Sequence, residues 1–288
     1  MTTAAIPQPF AEPRRGLAKV FDEVRVIVWR NLSHIPRVPE RLADVTVMPI
    51  MFVLLFGYVF GSAIALPGVD LGPEASAAYR EFLIAGIFVQ SMVFMSISTA
   101  VGVSNDMQAG VIDRFRSLPI NRASVLGGRV IATLVEGSLG ITVMALCGLA
   151  VGWGAHNGFW SAVGAFLLLA GIALSMICIG TFIGQLVKNA MTAQTIGFVV
   201  VFPLTFASNA FVPTENMPSA LKVFAEWNPV SAMVQAVREL FGNLPALSPA
   251  PEAWSLQNPV LYSIIWIIII GVVGLSLAVW KYSRGREA

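Results

Sequence analysis

AVGAFLLLAGIALSMICIGTFIGQL, residues 162–186, contains no aspartate, glutamate, lysine, arginine or histidine. A crossing of the roughly 30 Å hydrocarbon layer takes about 20 such residues in a helix, so this stretch is long enough to span. Five more stretches of the same kind lie on either side, at 45–64, 82–104, 125–153, 192–212 and 259–280, each broken by at most one ionisable residue once its ends are trimmed. The whole chain agrees with this reading: it is 56% hydrophobic and 12% charged, with a mean hydropathy of +0.76, against about 25% charged residues in a soluble domain. Open sheets cannot span lipid because their edges leave backbone groups without partners. The sequence therefore predicts an all-α integral membrane protein of six transmembrane helices.

Charge placement gives the orientation. The first 44 residues hold several prolines and charges but no short apolar core, so no cleavable leader is expected and the amino terminus is read as cytoplasmic. With that end inside, only Arg80, Lys222 and Arg238 of the 18 basic residues fall outside, as the positive-inside rule requires. Both termini are then cytoplasmic. The net charge of +2 averages two unlike faces and calls for no nucleic-acid partner.

The chain offers little for bond-making chemistry. His34 and His156 fall on opposite sides of the membrane, and no HExxH, GxSxG or pair of intramembrane aspartates occurs. No GxxxxGK[ST] loop is present to cradle a nucleotide, so if ATP drives this protein another chain binds it. No cofactor or metal is assigned. Cys147 and Cys178 lie in apolar spans and read as small packing residues. Glu136 lies near mid-depth of the third stretch, where an ionised carboxylate costs about 2–3 kcal/mol. It is either a carboxylate facing substrate or a coupling ion, or a hydrogen-bonded side chain packed on a neighbouring helix. The pairs Gly57/Gly61, Gly148/Gly152 and Gly180/Gly184 have the small-xxx-small spacing that most often means close helix packing.

Two segments belong to the cytoplasmic surface. Residues 17–35 place Phe21, Val24, Ile27 and further apolar residues on one helical face and Lys19, Arg25 and Arg30 on the other, which predicts an amphipathic helix in the headgroup plane ended by Pro36 and Pro39. Between the second and third stretches, Val111, Ile112, Phe115 and Leu118 form one apolar stripe, with an Asp113–Arg116 pair beside it and Pro119 as the stop. A helix this short needs a surface to lie against, either lipid or a partner protein.

DMQAGVIDRFRSLPINRASVLGGRV, residues 106–130, resembles the signature of ABC-2-type transport permeases, and RFRSLP followed by Arg122 and Gly128–Arg129 is especially similar to the daunorubicin-resistance-type branch. WNPVSAMVQAVRELF, residues 227–241, is similar to the segment that precedes the last span in that family. The chain departs from the pattern at Gln108, where many members carry glutamate, so no carboxylate role is assigned there.

The resemblance implies a permease of two six-span subunits, the second a copy or a homologue, with separate ATP-binding-cassette ATPases docked beneath that hold ATP and Mg. Val111, Ile112, Asp113, Arg114, Phe115, Arg116, Leu118 and Pro119 would form the coupling helix. Phe21, Val24, Ile27 and Arg30 would belong to a connecting helix. Residues 1–44 then form a cytoplasmic tail and 45–288 the transmembrane domain, with a coupling loop at 105–122 and an outer segment at 213–258. Within the outer segment, 220–227 and 230–240 read as short helices, either dipping back into the outer leaflet or forming a plain surface hairpin. Phe224, Trp227 and Val234 are the candidates for an outer gate, and Glu136, Phe206 and Asn209 for the substrate pathway.

The expected function is export of hydrophobic or amphipathic compounds across a bacterial plasma membrane. A proton-coupled secondary transporter using Glu136 and a non-transporting scaffold are the alternatives.

Overall fold

A computed structural model of the chain describes residues 73–110, 122–187, 189–214, 217–244 and 251–284, together with the single positions 47, 50, 51, 54 and 55. Segments 1–44 and 111–119, and nearly all of the expected span 45–64, lie outside the described residues. So do Gly57 and Gly61. Within the described residues the chain is helical, with no strand.

Helix α1 (Pro73–Gln108) is followed by helix α2 (Arg122–Ala150), α3 (Phe159–Leu186) and α4 (Ala190–Phe206). Two short helices, α5 (Ser219–Trp227) and α6 (Pro229–Phe241), and a single turn, α7 (Trp254–Gln257), precede α8 (Pro259–Arg284). Four of these, α1, α2, α3 and α8, are long and apolar enough to cross a membrane, whereas α4 is a shorter apolar helix.

The long helices outrun the apolar stretches that announced them. Helix α1 has 36 residues and carries Arg80 and Glu81 within it, although apolarity begins only at Phe82. Hydropathy records depth in the bilayer, and a helix continues into the headgroups for as long as its backbone stays paired. Helix α3 similarly starts at Phe159, and its first turn exposes Phe159 and Trp160, the residue type that favours the membrane–water boundary. Helix α2 stops at Ala150, short of the expected end. Gly152 has a φ of +94°, a conformation open to glycine at little cost. The chain turns there and sends Trp153 back into the core against Phe88 and Phe241.

Helix α1 is the centre of the bundle: 78% of its apolar window is buried, against 11% for α8. It packs on α3 and α4, and α8 packs on the far side of α3. The α1–α3 seam relies on the Gly180/Gly184 pair. A Cβ on Gly180 would overlap the carbonyl oxygen of Ser96, and one on Gly184 would lie 2.5 Å from that of Ala100. Lipid tails are as apolar as side chains, so close backbone approach and van der Waals contact hold such a seam. Gly148 serves likewise, facing Trp153 and Ile84. Cys147 and Cys178 are both free thiols, the first half-buried and the second buried.

Gly180→Ala is expected to cost about 1–3 kcal/mol, since α1 and α3 must separate to admit the methyl. Thermal aggregation of the detergent-solubilised protein would show it as a lower midpoint. Gly127→Ala, where nothing lies within 4 Å, should leave the midpoint unchanged or raise it.

Helix α4 departs most from expectation. The apolar stretch 192–212 predicts a full crossing, but the helix has 17 residues, contains Pro203 and ends at Phe206. Asn189 caps its start, its side chain accepting from the Thr192 amide at 2.7 Å. Residues 207–213 follow without regular helix. Side chains from distant helices take the carbonyls that a longer helix would have paired.

Candidate functional site

The non-helical segment after α4 runs through the interior of the bundle, where each carbonyl needs a protein partner. Asn228 Nδ2 donates to the carbonyl of Leu204 at 2.7 Å and more weakly to that of Ala207 at 3.4 Å. Arg238 Nη2 donates to the carbonyls of Asn209 at 3.0 Å and Ala210 at 2.9 Å. The Tyr79 hydroxyl donates to the carbonyl of Phe211 at 3.1 Å. Ser231 Oγ accepts from the Asn209 amide at 3.1 Å.

Arg238 is the hub. It is fully buried, donates through Nε to the carbonyl of Phe82 on α1 at 2.9 Å, and lies over the Phe82 ring at 3.3 Å from the centroid. A guanidinium stays charged in any protein interior, and here carbonyl dipoles and a ring face replace its water. One side chain thereby ties α6, α1 and the segment after α4 together. Gly86 permits the approach, since a Cβ there would overlap the Ala210 carbonyl.

Asn228 positions Arg238. It is the last residue after α5 and the first before α6, and its side-chain oxygen accepts from the Val230 amide at 2.9 Å. Pro229 fills the first helical position, where no amide donor is needed. The resulting helix buries Val230, Val234, Val237 and Phe241. A surface hairpin is therefore excluded for α6, which packs on α1, α3 and α8. Its far end is locked as well. Asn243 accepts from Trp153 Nε1 at 2.9 Å and donates to the Gly154 carbonyl at 2.9 Å, while the His156 amide donates to the Phe241 carbonyl at 2.7 Å. Next to this lock His156 Nε2 lies 2.9 Å from Glu81 Oε1.

The residues expected to form an outer gate do not share one surface. Val234 has no exposed area, whereas Phe224 and Trp227 are half-exposed on α5, a helix that buries only Ala225. The pathway candidates also differ. Phe206 is partly exposed in a stack with Phe202 and Phe211, at centroid distances of 4.1 and 5.0 Å. Asn209 is buried in the Arg238 knot, with its side-chain oxygen finding no hydrogen-bond partner among the described residues. Glu136 is half-buried on α2, next to a glycine that packs against Met95.

In the last turn of α1, Asp106 pairs with Arg129 of α2. The guanidinium lies across Gly102, where a Cβ would come within 2.5 Å of Nη2. Sequence reasoning counted Arg129 and Arg238 as topological charges and missed both contacts. For Arg238 a signal existed, since it sits on the apolar face of its own helix, between Val234, Val237 and Phe241.

The family model for the ABC-2 type transporter matches residues 22–241, a range that takes in α1 through α6. The chain belongs to the ABC-2 type transporter family. Among its relatives is the daunorubicin resistance ABC transporter permease protein DrrB1 of Streptomyces coeruleorubidus, 31% identical over 213 residues, covering 74% of this chain and 72% of that protein. The putative transport permease ycf38 of Cyanophora paradoxa is 25% identical over 258 residues, covering 88% and 87%. The probable doxorubicin resistance ABC transporter permease protein DrrC of Mycobacterium tuberculosis is 24% identical over 210 residues, covering 70% and 71%. This ABC-2 member is thus a multi-pass membrane protein. The Arg238 knot and the Asp106–Arg129 pair both lie inside the matched range.

Proposed function

We propose that this chain is the membrane-spanning subunit of an ATP-driven exporter that moves hydrophobic or amphipathic compounds, drug-like or lipid-like, out of a bacterial cell. The observation that carries the reading is the family match over 22–241, reinforced by the likeness to a daunorubicin resistance permease. Two permease subunits form the path, and ATP with Mg is bound and hydrolysed by separate ATPase subunits, not by this chain. The protein lies in the plasma membrane as six spans, with both termini inside. The segment 111–119 docks on the ATPase through Phe115 and Leu118, with Asp113, Arg114 and Arg116 fixing its orientation, and Phe21, Val24, Ile27 and Arg30 supply a second contact. Helices α5 and α6 re-enter the outer leaflet, where Phe224 and Trp227 meet lipid or departing cargo.

The test is co-production of the chain with a candidate ATP-binding-cassette ATPase of the same organism, followed by ATP-driven dye uptake into inverted vesicles. Co-purification of the two subunits with uptake that tracks hydrolysis is expected. A chain that holds no ATPase yet drives uptake from a proton gradient would overturn the reading. Glu136→Gln should lower transport less than about fivefold, since ATP supplies the driving force and the amide keeps most hydrogen bonds of the acid. Complete loss of uptake with normal assembly and hydrolysis would instead assign Glu136 a proton-coupling role.

A further inference from the structure

We infer that the Asp106–Arg129 ion pair is a positioning link: it sets the register of α2 against α1 and passes force arriving at their cytoplasmic ends into the membrane-spanning seam. The inference rests on the exporter reading above, in which an ATPase acts on that side.

The seam has a readable order. From the outer end inward, Gly148 of α2 faces Ile84 of α1, Met144 meets the Ser91 hydroxyl at 3.5 Å, Gly137 packs on Met95, and Arg129 lies over Gly102 to reach Asp106. The first three are soft contacts of methyl, sulfur and glycine. They hold two helices side by side, but dispersion has little direction and resists sliding weakly. A charge-assisted hydrogen bond is directional. Asp106–Arg129 adds a charge–charge contact between α1 and α2. It is partly shielded from water, with the two side chains 34% and 23% exposed.

Position gives the pair its task. Asp106 is two residues from the end of α1, and Arg129 is two turns into α2. A displacement imposed where these helices emerge must strain this contact before it moves the apolar part of the seam. Helix α2 is also free to respond. Its Leu146 and Leu149 faces are exposed, and 28% of its apolar window is buried, against 78% for α1. The glycine at 102 completes the device. Any side chain there would push the guanidinium away from the helix surface on which it now rests.

The experiment uses the full chain with its ATPase in liposomes, with Cys147 and Cys178 replaced by alanine and spin labels at the exposed positions Leu146 on α2 and Leu167 on α3. Interlabel distances are recorded with and without ATP, and ATPase retention is measured in parallel. With Asp106 and Arg129 intact, ATP should shift the distance distribution. Asp106→Asn and Gly102→Ala should keep the ATPase but lose most of the shift. The exchanged pair Asp106→Arg with Arg129→Asp should restore at least half of it. Gly102→Ala changes no charge and favours helix, so it separates lost coupling from lost folding. An equal ATP-dependent shift in Gly102→Ala and Asp106→Asn would overturn the inference, as would labels that never respond to ATP in a complex that holds its ATPase. Release of the ATPase by these variants would also overturn it, placing the pair in the docking surface. Failure of the parent chain to retain any ATPase would instead sink the exporter reading.

Discussion

Arg238→Met is expected to leave almost no folded protein in the membrane. The substitution keeps much of the volume and removes the charge, but it strips donors from the carbonyls of Phe82, Asn209 and Ala210. Each buried carbonyl left without a partner costs about 1–3 kcal/mol. Three such carbonyls together amount to roughly 3–9 kcal/mol, a large part of the roughly 5–15 kcal/mol that holds a domain together. Yield of monodisperse protein in mild detergent, with protease resistance of the 207–214 region, is the measurement. Arg238→Lys should be intermediate, because one ammonium cannot reproduce the planar fork that serves α1 and the 209–210 backbone together. Lys222→Met is the control. Among the described residues its side chain makes an i,i+4 pair with Glu226 at 3.7 Å, which contributes about 0.2–0.5 kcal/mol. Normal yield and protease resistance of Arg238→Met would show that the carbonyls find other donors.

The second large effect is expected at Phe115. Phe115→Asp places a carboxylate where the proposed docking stripe has its largest apolar residue, and truncating such an anchor typically costs about 2 kcal/mol or more, roughly a 30-fold loss of affinity. Membrane insertion should be unaffected, so the variant should appear in membranes at normal level while the ATPase is lost on co-purification. Undiminished recovery of the ATPase would remove this segment from the interface.

For α1, α2, α3 and α8 the apolar runs fell on the middles of the helices, because transfer into hydrocarbon is a property of single residues summed along the chain. They located the ends poorly. Helix α1 begins nine residues before its apolar run, since Arg80 and Glu81 can sit at the boundary without breaking backbone pairing. Helix α4 ends before its apolar run does, because Asn228, Arg238 and Tyr79 capture the carbonyls around 204–211. These partners lie up to 132 residues away along the chain, and no local pattern announces them. The pairing of Asp106 with Arg129 was hidden for a similar reason: arginines near span ends are expected from topology alone, so nothing in their spacing distinguishes a structural one. Residues 230–240 did read as a short helix, which the structure shows as Pro229–Phe241. What that reading lacked was the observation that Arg238 lies on the helix's apolar face, which in a membrane protein points to an internal partner.

The acceptors of Arg238 at Phe82, Asn209 and Ala210 precede it in the chain. A ribosome therefore delivers these three carbonyls before it delivers that donor. Until helix α6 emerges, the segment after α4 has no guanidinium to receive, and a nascent chain halted before residue 238 carries bare backbone acceptors. Completion of α6 is thus the moment at which the carbonyls of Phe82, Asn209 and Ala210 first meet the guanidinium that serves them, and synthesis order itself supplies a checkpoint between a knot without that donor and one that has it.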